Sequence, residues 1–340
     1  MRTKKIGIIG DIHFKNARGY AEYISDKRIS EQRDALDFIV QQLSDCESIV
    51  LMGDSLDGKN NQSHVISQFV EFIERFNDQK LYILCGNHEK CGGKSAIDFL
   101  NEISNKHWTV FINKVQVIDK MVFLPFFFQS ELGVEDHKIA TKRVLDMLPE
   151  GDVLFAHHAI SESRTNSGIT TDVFSEVVLP RNILEKKYKM VVAGHIHTPD
   201  YKNKTIITGS VFNDEVGETG KYIWKINVDD FSVEKIPIPG RKIYKLTDPK
   251  EDNFTNIEKS SIIKVVITEK KDKKSMEALK EKLRLFDAYI LLEQVEHERK
   301  KIHFEEGMLE FSVNNLLEIY AKERGVDIKK LHRGFDLLDI

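Results

Sequence analysis

Short runs of Ile, Val and Leu recur along the chain, and several stop abruptly at a polar cluster. Lys5–Gly10 precedes Asp11-Ile12-His13, Ser48–Met52 precedes Gly53-Asp54, and Leu81–Cys85 precedes Gly86-Asn87-His88. Val153–Ala156 leads into His157-His158, and Met190–Ala193 into Gly194-His195-Ile196-His197. Runs of this length, rich in β-branched residues and bounded by glycine, predict buried strands. Between them, Arg28–Leu43, His64–Phe76 and Ser95–Ile103 space their apolar residues at a helical period. This alternation predicts βαβ units and a largely parallel sheet. In such sheets ligands bind beyond the carboxyl ends of the strands, and all five polar clusters fall at that edge.

After Ala193 the texture changes. Thr205–Thr208, Tyr222–Val228 and Val233–Ile238 are short, separated by Gly and Asp, and predict an antiparallel finish to the sheet. Met121–Phe128 is the most apolar stretch; it is far too short to span a bilayer and reads as one buried strand. Pro237-Ile238-Pro239-Gly240 marks a boundary, because neither proline continues a helix or a central strand. The predicted organisation is therefore residues 1–240, a small module over 241–300, and a terminal segment over 301–340. The small module has strand character in Ser261–Thr268, helical spacing in Ser275–Phe286 and a further apolar run in Ala288–Val295. Residues 311–340 predict a helical pair broken at Gly325, with apolar positions at Leu316, Leu317 and Tyr320, then Ile328, Leu331, Phe335 and Leu338.

Composition narrows the class without naming it. The 340 residues are 41% hydrophobic and 31% charged, as in a folded globular protein. A net charge of −4 does not advertise nucleic-acid binding, so any DNA contact must come from local basic patches, bound metal or a partner. Cys46, Cys85 and Cys91 form no CxxC pair, which predicts a reducing, cytoplasmic setting and argues against a structural zinc site. The basic start Met1–Lys5 is followed by too short an apolar run for a secretory signal, and no membrane association is expected.

The polar clusters carry the chemistry. Asp, Asn and His offer oxygen and nitrogen donors with no thiolate, a set suited to manganese, magnesium, iron or zinc in a dinuclear octahedral arrangement. A carboxylate lying between two such ions can bridge them. The ordered series resembles the calcineurin-like metallophosphoesterases, whose pattern is D-x-H, G-D, G-N-H-[DE], a single His, and G-H-x-H. Here it reads Asp11-Ile12-His13, Gly53-Asp54, Gly86-Asn87-His88-Glu89, His157 and Gly194-His195-Ile196-His197.

That resemblance implies an α/β fold: a β-sandwich of two mixed sheets flanked by helices, followed by a small α+β cap and a C-terminal helical pair. It also implies a first metal on Asp11, His13, Asp54 and His197, and a second on Asp54, Asn87, His157 and His195, with Asp54 shared. His157 is taken over His158 because it follows the apolar run directly. His88 matches the non-ligand histidine that stabilises the transition state or protonates the leaving oxygen. Glu89 stands where Asp is commoner, at a position that is not a ligand. Asp57 is expected behind the ligands, orienting Asp54 or a histidine. Lys15, Arg18, Lys59, Lys90 and Lys94 follow the motifs closely and are candidate phosphate contacts.

Within the superfamily, Gly53-Asp54-Ser55-Leu56-Asp57, the stretch Val191–Pro199, and Gly209-Ser210 followed by Gly217-Glu218 are similar to the SbcD-type double-strand-break-repair nucleases and their tailed-phage counterparts. The likeness implies a manganese-dependent (magnesium as second choice) 3′→5′ exonuclease on duplex ends and endonuclease on single strands. It further implies a DNA-binding cap over 241–300, and an SbcC-like ATPase of the SMC family docked on 301–340. The assembly expected is a homodimer within a heterotetramer, in the cytoplasm of a bacterium or phage-infected host. The alternatives are a stand-alone phosphatase or phosphodiesterase and a metal-free scaffold.

Overall fold

The computed structural model describes residues 4–15, 25–91, 93–103, 107–165, 168–213, 220–259, 261–269, 271–286 and 288–293. The chain divides into two compact units, Met1–Glu293 and Gln294–Ile340. The second unit, with its expected helical pair and partner-binding segment, lies outside the described residues, as do Arg18 and Gly217-Glu218.

Two six-stranded mixed sheets form the body of the first unit. One runs, edge to edge, through Val233–Pro237, Tyr222–Asn227, Lys5–Ile9, Ser48–Leu51, Lys80–Leu84 and Trp108–Phe111. Its last four strands are parallel, and Tyr222–Asn227 and Val233–Pro237 add the antiparallel edge expected from the sequence. The other sheet runs through Asp200–Lys202, Thr205–Ile207, Met190–Ala193, Val153–Ala156, Met121–Leu124 and Gln116–Ile118. Its central four strands are parallel and its two edges antiparallel.

The period of two along each strand explains the stack. Ile6, Ile8, Val50, Tyr82 and Leu84 of the first sheet meet Phe123, Phe155, Met190 and Val192 of the second in one core. Phe111 and Phe123 stack across it, centroids 4.3 Å apart and planes 3° from parallel. The alternate residues face helices. Ile9, Ile49, Leu51, Leu81 and Ile83 pack under α1 (Ser25–Leu43) and α2 (Ser63–Glu74), where Val65, Phe69, Phe72 and Ile73 supply one apolar stripe. Leu124, Leu154, Val191 and Ala193 pack under α3 (His137–Met147) and α4 (Arg181–Lys187). Asp136 starts α3 by accepting from the amides of Lys138 and Ile139.

Three expectations change. The largely parallel sheet read from periodicity is divided between two mixed sheets, the arrangement the family resemblance implies; periodicity missed it because a strand buried between helix and sheet shows the same unbroken apolar run as one buried between two helix layers. Ser95–Ile103 is no α-helix: Lys94–Ser95 pairs with Lys90–Cys91, and only a 3₁₀ turn at Asp98–Asn101 follows, with the Asp98 carboxylate accepting from the Ser95 amide. Met121–Phe128 is strand only to Leu124; beyond Pro125 the chain leaves the sheet.

After Gly240 a three-stranded parallel sheet of Ile243–Thr247, Ile262–Ile267 and Ala288–Glu293 carries α5 (Lys273–Leu283). Ile263, Val265, Ile267, Leu279 and Leu283 form a core of its own. Arg241 ties this module back to α1 through Glu31. Among the described residues, no helix is long and apolar enough to cross a membrane.

Candidate metal centre

The carboxyl ends of both parallel strand sets lie together, and the polar clusters of the sequence meet there. Three ligand-like groups result: Asp11, His13 and His197; His13, Asp54 and His88; Asp54, His157 and His195, each with donor atoms within 4.8 Å of one another. Asn87 joins the third, its Oδ1 lying 2.9 Å from His195 Nδ1 and 3.2 Å from His157 Nε2. The first sheet thus contributes Asp11, His13, Asp54 and Asn87, and the second His157, His195 and His197.

Local backbone geometry is unusual at these residues. His13, Asp54 and His195 adopt positive φ of 52°, 46° and 78°. Non-glycine residues there are uncommon and cost about 1–3 kcal/mol each, and such outliers cluster at functional sites. Gly86 is required by approach rather than by φ: a Cβ on it would lie 2.0 Å from Asp54 Oδ1. Asp54 Oδ1 accepts the His88 amide at 2.9 Å, which leaves Oδ2 facing His157 at 3.3 Å and His13 at 3.9 Å. The Asp11 carboxylate accepts the His195 amide, and Asp11 in turn is backed by Ser210 and by the Val211 amide on its carbonyl oxygen.

The donor set fits divalent cations. His157 Nδ1–H donates to the Met52 carbonyl at 2.7 Å, and His195 Nε2–H to the Glu176 carboxylate at 2.9 Å. In the neutral rings, with the outer protons committed, His157 Nε2 and His195 Nδ1 would turn lone pairs on the Asn87 oxygen, and the former also on Asp54. His13 Nε2 and His197 Nε2 face each other at 3.1 Å, with Asp57 Oδ1 3.3 Å behind His13 Nδ1. Acceptors turned on acceptors in a buried place call for a shared positive charge.

Protonation tendencies say the same. Burial disfavours an imidazolium at His157, yet the carboxylates of Asp54 and Asp11 outweigh it and lift the group to about 10. Burial would raise Asp54, but His157, His13 and His88 hold it well below the usual carboxylate range. Glu89 is buried, and that burial together with the Asp54 charge pushes it up to about 7; its oxygens accept the amides of Gly86 and Leu56, lacing the Asn87 and Asp54 loops together.

Of the two adjacent histidines, His157 faces the ligands. His158 belongs to none of the ligand groups and stacks on Phe126 with centroids 5.0 Å apart. His88 is the open member of the site, 43% exposed, with Nδ1 donating to the Asp57 carbonyl at 3.0 Å and Nε2 4.0 Å from Asp54 Oδ2. Asp57 lies behind His13, as expected of an orienting carboxylate, and is held down to about 2 by His13 and Lys15 against its burial.

The lysines divide. Lys15 sits at the rim but pairs with Asp57 at 2.9 Å. Lys59 and Lys94 are exposed. Lys90 lies away from the rim: its side chain is fully buried, its Nζ lies 3.0 Å from both Glu131 oxygens and over the Phe127 ring. Glu176 has no signal in the sequence, since it stands in a loop with no motif around it.

A family model described as calcineurin-like phosphoesterase matches residues 4–199. No curated protein matches. Among solved structures, one described as a novel archaeal phosphodiesterase is 15% identical, with 68% of this chain and 99% of that chain covered at a TM-score of 0.33.

Proposed function

This chain belongs to the calcineurin-like phosphoesterase family, and from that premise we propose that it is a metal-dependent DNA nuclease, the SbcD-like subunit of a complex with an SMC-type ATPase. One observation carries the step from phosphoesterase to nuclease. The catalytic sandwich is followed by a separate α+β module with its own core, joined across a cleft of about 640 Å³ that includes Glu31, Lys221, Arg241 and Tyr244. A module of this kind beside the catalytic edge suits a long polymer, which takes contacts beyond the scissile bond. Residues 241–300 take the role of DNA-binding cap in this reading, and 301–340 that of ATPase-binding segment, within a heterotetramer built on a homodimer.

Asp11, His13, Asp54 and His197 would hold one ion, and Asp54, Asn87, His157 and His195 the other, with manganese the proposed metal and magnesium the second choice. When bound, the two ions supply Lewis acidity that polarises a phosphate oxygen and lowers the pKa of water. The chain's own contribution is placement. The Met52 carbonyl fixes the His157 tautomer, and the Asp57 carbonyl fixes that of His88. His88 Nε2 is thereby left on the open side, where, in the imidazolium form that carries a proton on both nitrogens, it would hand one to the departing sugar oxygen. Polarity follows the resemblance: 3′→5′ on duplex ends, endonucleolytic on single strands.

Labelled duplex and single-stranded DNA, incubated with manganese and the full chain, test this. Cleavage abolished by Asp54→Asn and by His88→Gln is expected. Turnover of nucleotides or phosphopeptides with none on DNA, even with an ATPase partner present, replaces it with the stand-alone phosphoesterase.

A further inference from the structure

The two metal sites are unequal in charge. The first set holds two carboxylates, Asp11 and Asp54; the second holds only Asp54, which it shares, with neutral Asn87, His157 and His195 beside it. An ion in the second set therefore sees less negative charge and is repelled by its neighbour. Each set has a histidine backed by an outer carboxylate, and here the balance reverses. Asp57, behind His13, spends part of its charge on Lys15, which contacts the same Oδ1 at 2.9 Å. Glu176, behind His195 at 2.9 Å, has no other polar partner among the described residues.

We infer that Glu176 is a positioning residue that holds the second, charge-poor metal in place through His195. Accepting from Nε2–H, it keeps the Nδ1 lone pair turned toward Asn87 and lends the ring electron density, as outer carboxylates do for metal-bound histidines. The mounting is firm enough for that task. Glu176 precedes Val177, which is buried, and Val178–Leu179, which pairs with Ala159–Ile160; the Ser175 carbonyl accepts from Gln129 Nε2. A carboxylate on a floppy surface loop would have none of these ties. The inference rests on the dinuclear reading above.

Stepwise manganese titration of the full chain, followed by electron paramagnetic resonance, separates the outcomes. Wild type is expected to bind two ions and to show the exchange-coupled signal of an ion pair. Glu176→Gln, which keeps an acceptor but loses the charge, should leave the first ion unchanged and weaken the second by about 10–100-fold, so that the six-line signal of a lone ion persists at concentrations that pair the wild type. Asp57→Asn serves as the reciprocal case and should weaken the first ion. Unchanged binding of the second ion in both Glu176→Gln and Glu176→Ala overturns the inference. So does equal loss of both ions with a lower melting temperature of the metal-free variant, which would make Glu176 a structural residue. A wild type that never binds a second ion overturns the dinuclear centre itself, and with it the role given to Glu176.

Discussion

Replacing Gly86 by alanine tests the shared carboxylate most directly. The new Cβ would lie 2.0 Å from Asp54 Oδ1, 2.4 Å from Asp54 N and 2.7 Å from its Cγ, where ordinary contact starts at 3.4 Å, so Gly86 and Asp54 must part by about 1.4 Å. Neither is free to yield, because Asp54 Oδ1 holds the His88 amide and the Gly86 amide is held by Glu89. Forcing a methyl into such a place destabilises by about 1–3 kcal/mol. Metal ligands tolerate only about 0.2 Å of misplacement, so the shift removes Asp54 from both ligand sets. Both ions should then be lost or weakened by more than the about 10–100-fold seen when an outer partner is removed. Calorimetric titration with manganese measures this, with circular dichroism to verify folding. Gly58→Ala, whose Cβ meets nothing within 4 Å, is the control and should bind as wild type. A folded Gly86→Ala that binds two ions at wild-type affinity would refute the placement of Asp54 between the sets.

His88→Gln should lower turnover by about 10²–10⁴-fold with both ions still bound; loss of an ion in the titration would make His88 a ligand instead. Lys90→Met removes the buried ammonium from the partly exposed Glu131 carboxylate and should cost about 1–3 kcal/mol in urea unfolding, part of it recovered by adding Glu131→Gln. Weakened DNA binding at unchanged stability would return Lys90 to the list of phosphate contacts. Asp45 is buried in part, but Lys225 and Lys5 outweigh that and hold it down to about 2. A depressed carboxylate contributes stability above its unfolded value of 3.8, lost as pH falls toward 2. The side chain is 47% exposed, so the gap between wild type and Asp45→Asn should be below about 1 kcal/mol at pH 6. Urea midpoints should show it narrowing by pH 3; a gap that widens on acidification contradicts the assignment.

Much of the candidate site was legible because metal-binding chemistry favours particular residue types at strand ends, and strand ends are marked by abrupt loss of apolar character. Asp11, Asp54, Asn87 and His195 each follow such a break. What surrounds them was less legible. Glu176 reaches His195 only through tertiary folding, and no local pattern distinguishes it from any other loop glutamate. Lys90 looked like a rim lysine because it follows His88 by two residues; its burial depends on Glu131 and Phe127, far along the chain. The second sheet was legible through the family resemblance and not through periodicity, for a different reason. Burial on both faces writes the same apolar run whether the far neighbour is a helix or a sheet, so periodicity alone returned one sheet.

The division of the candidate ligands between the sheets gives the proposed metals a second consequence. Each set draws from both: Asp11, His13 and Asp54 with His197, and Asp54 and Asn87 with His157 and His195. Ions held by these sets would tie the carboxyl ends of the two sheets together, at the place where His13, Asp54 and His195 adopt positive φ. Without cations the same geometry concentrates negative potential, as the lifted His157 records. Cations at this place would offset that negative potential, and the apolar stack of Phe111, Phe123 and Phe155 inside the sandwich holds the two sheets against each other beneath it.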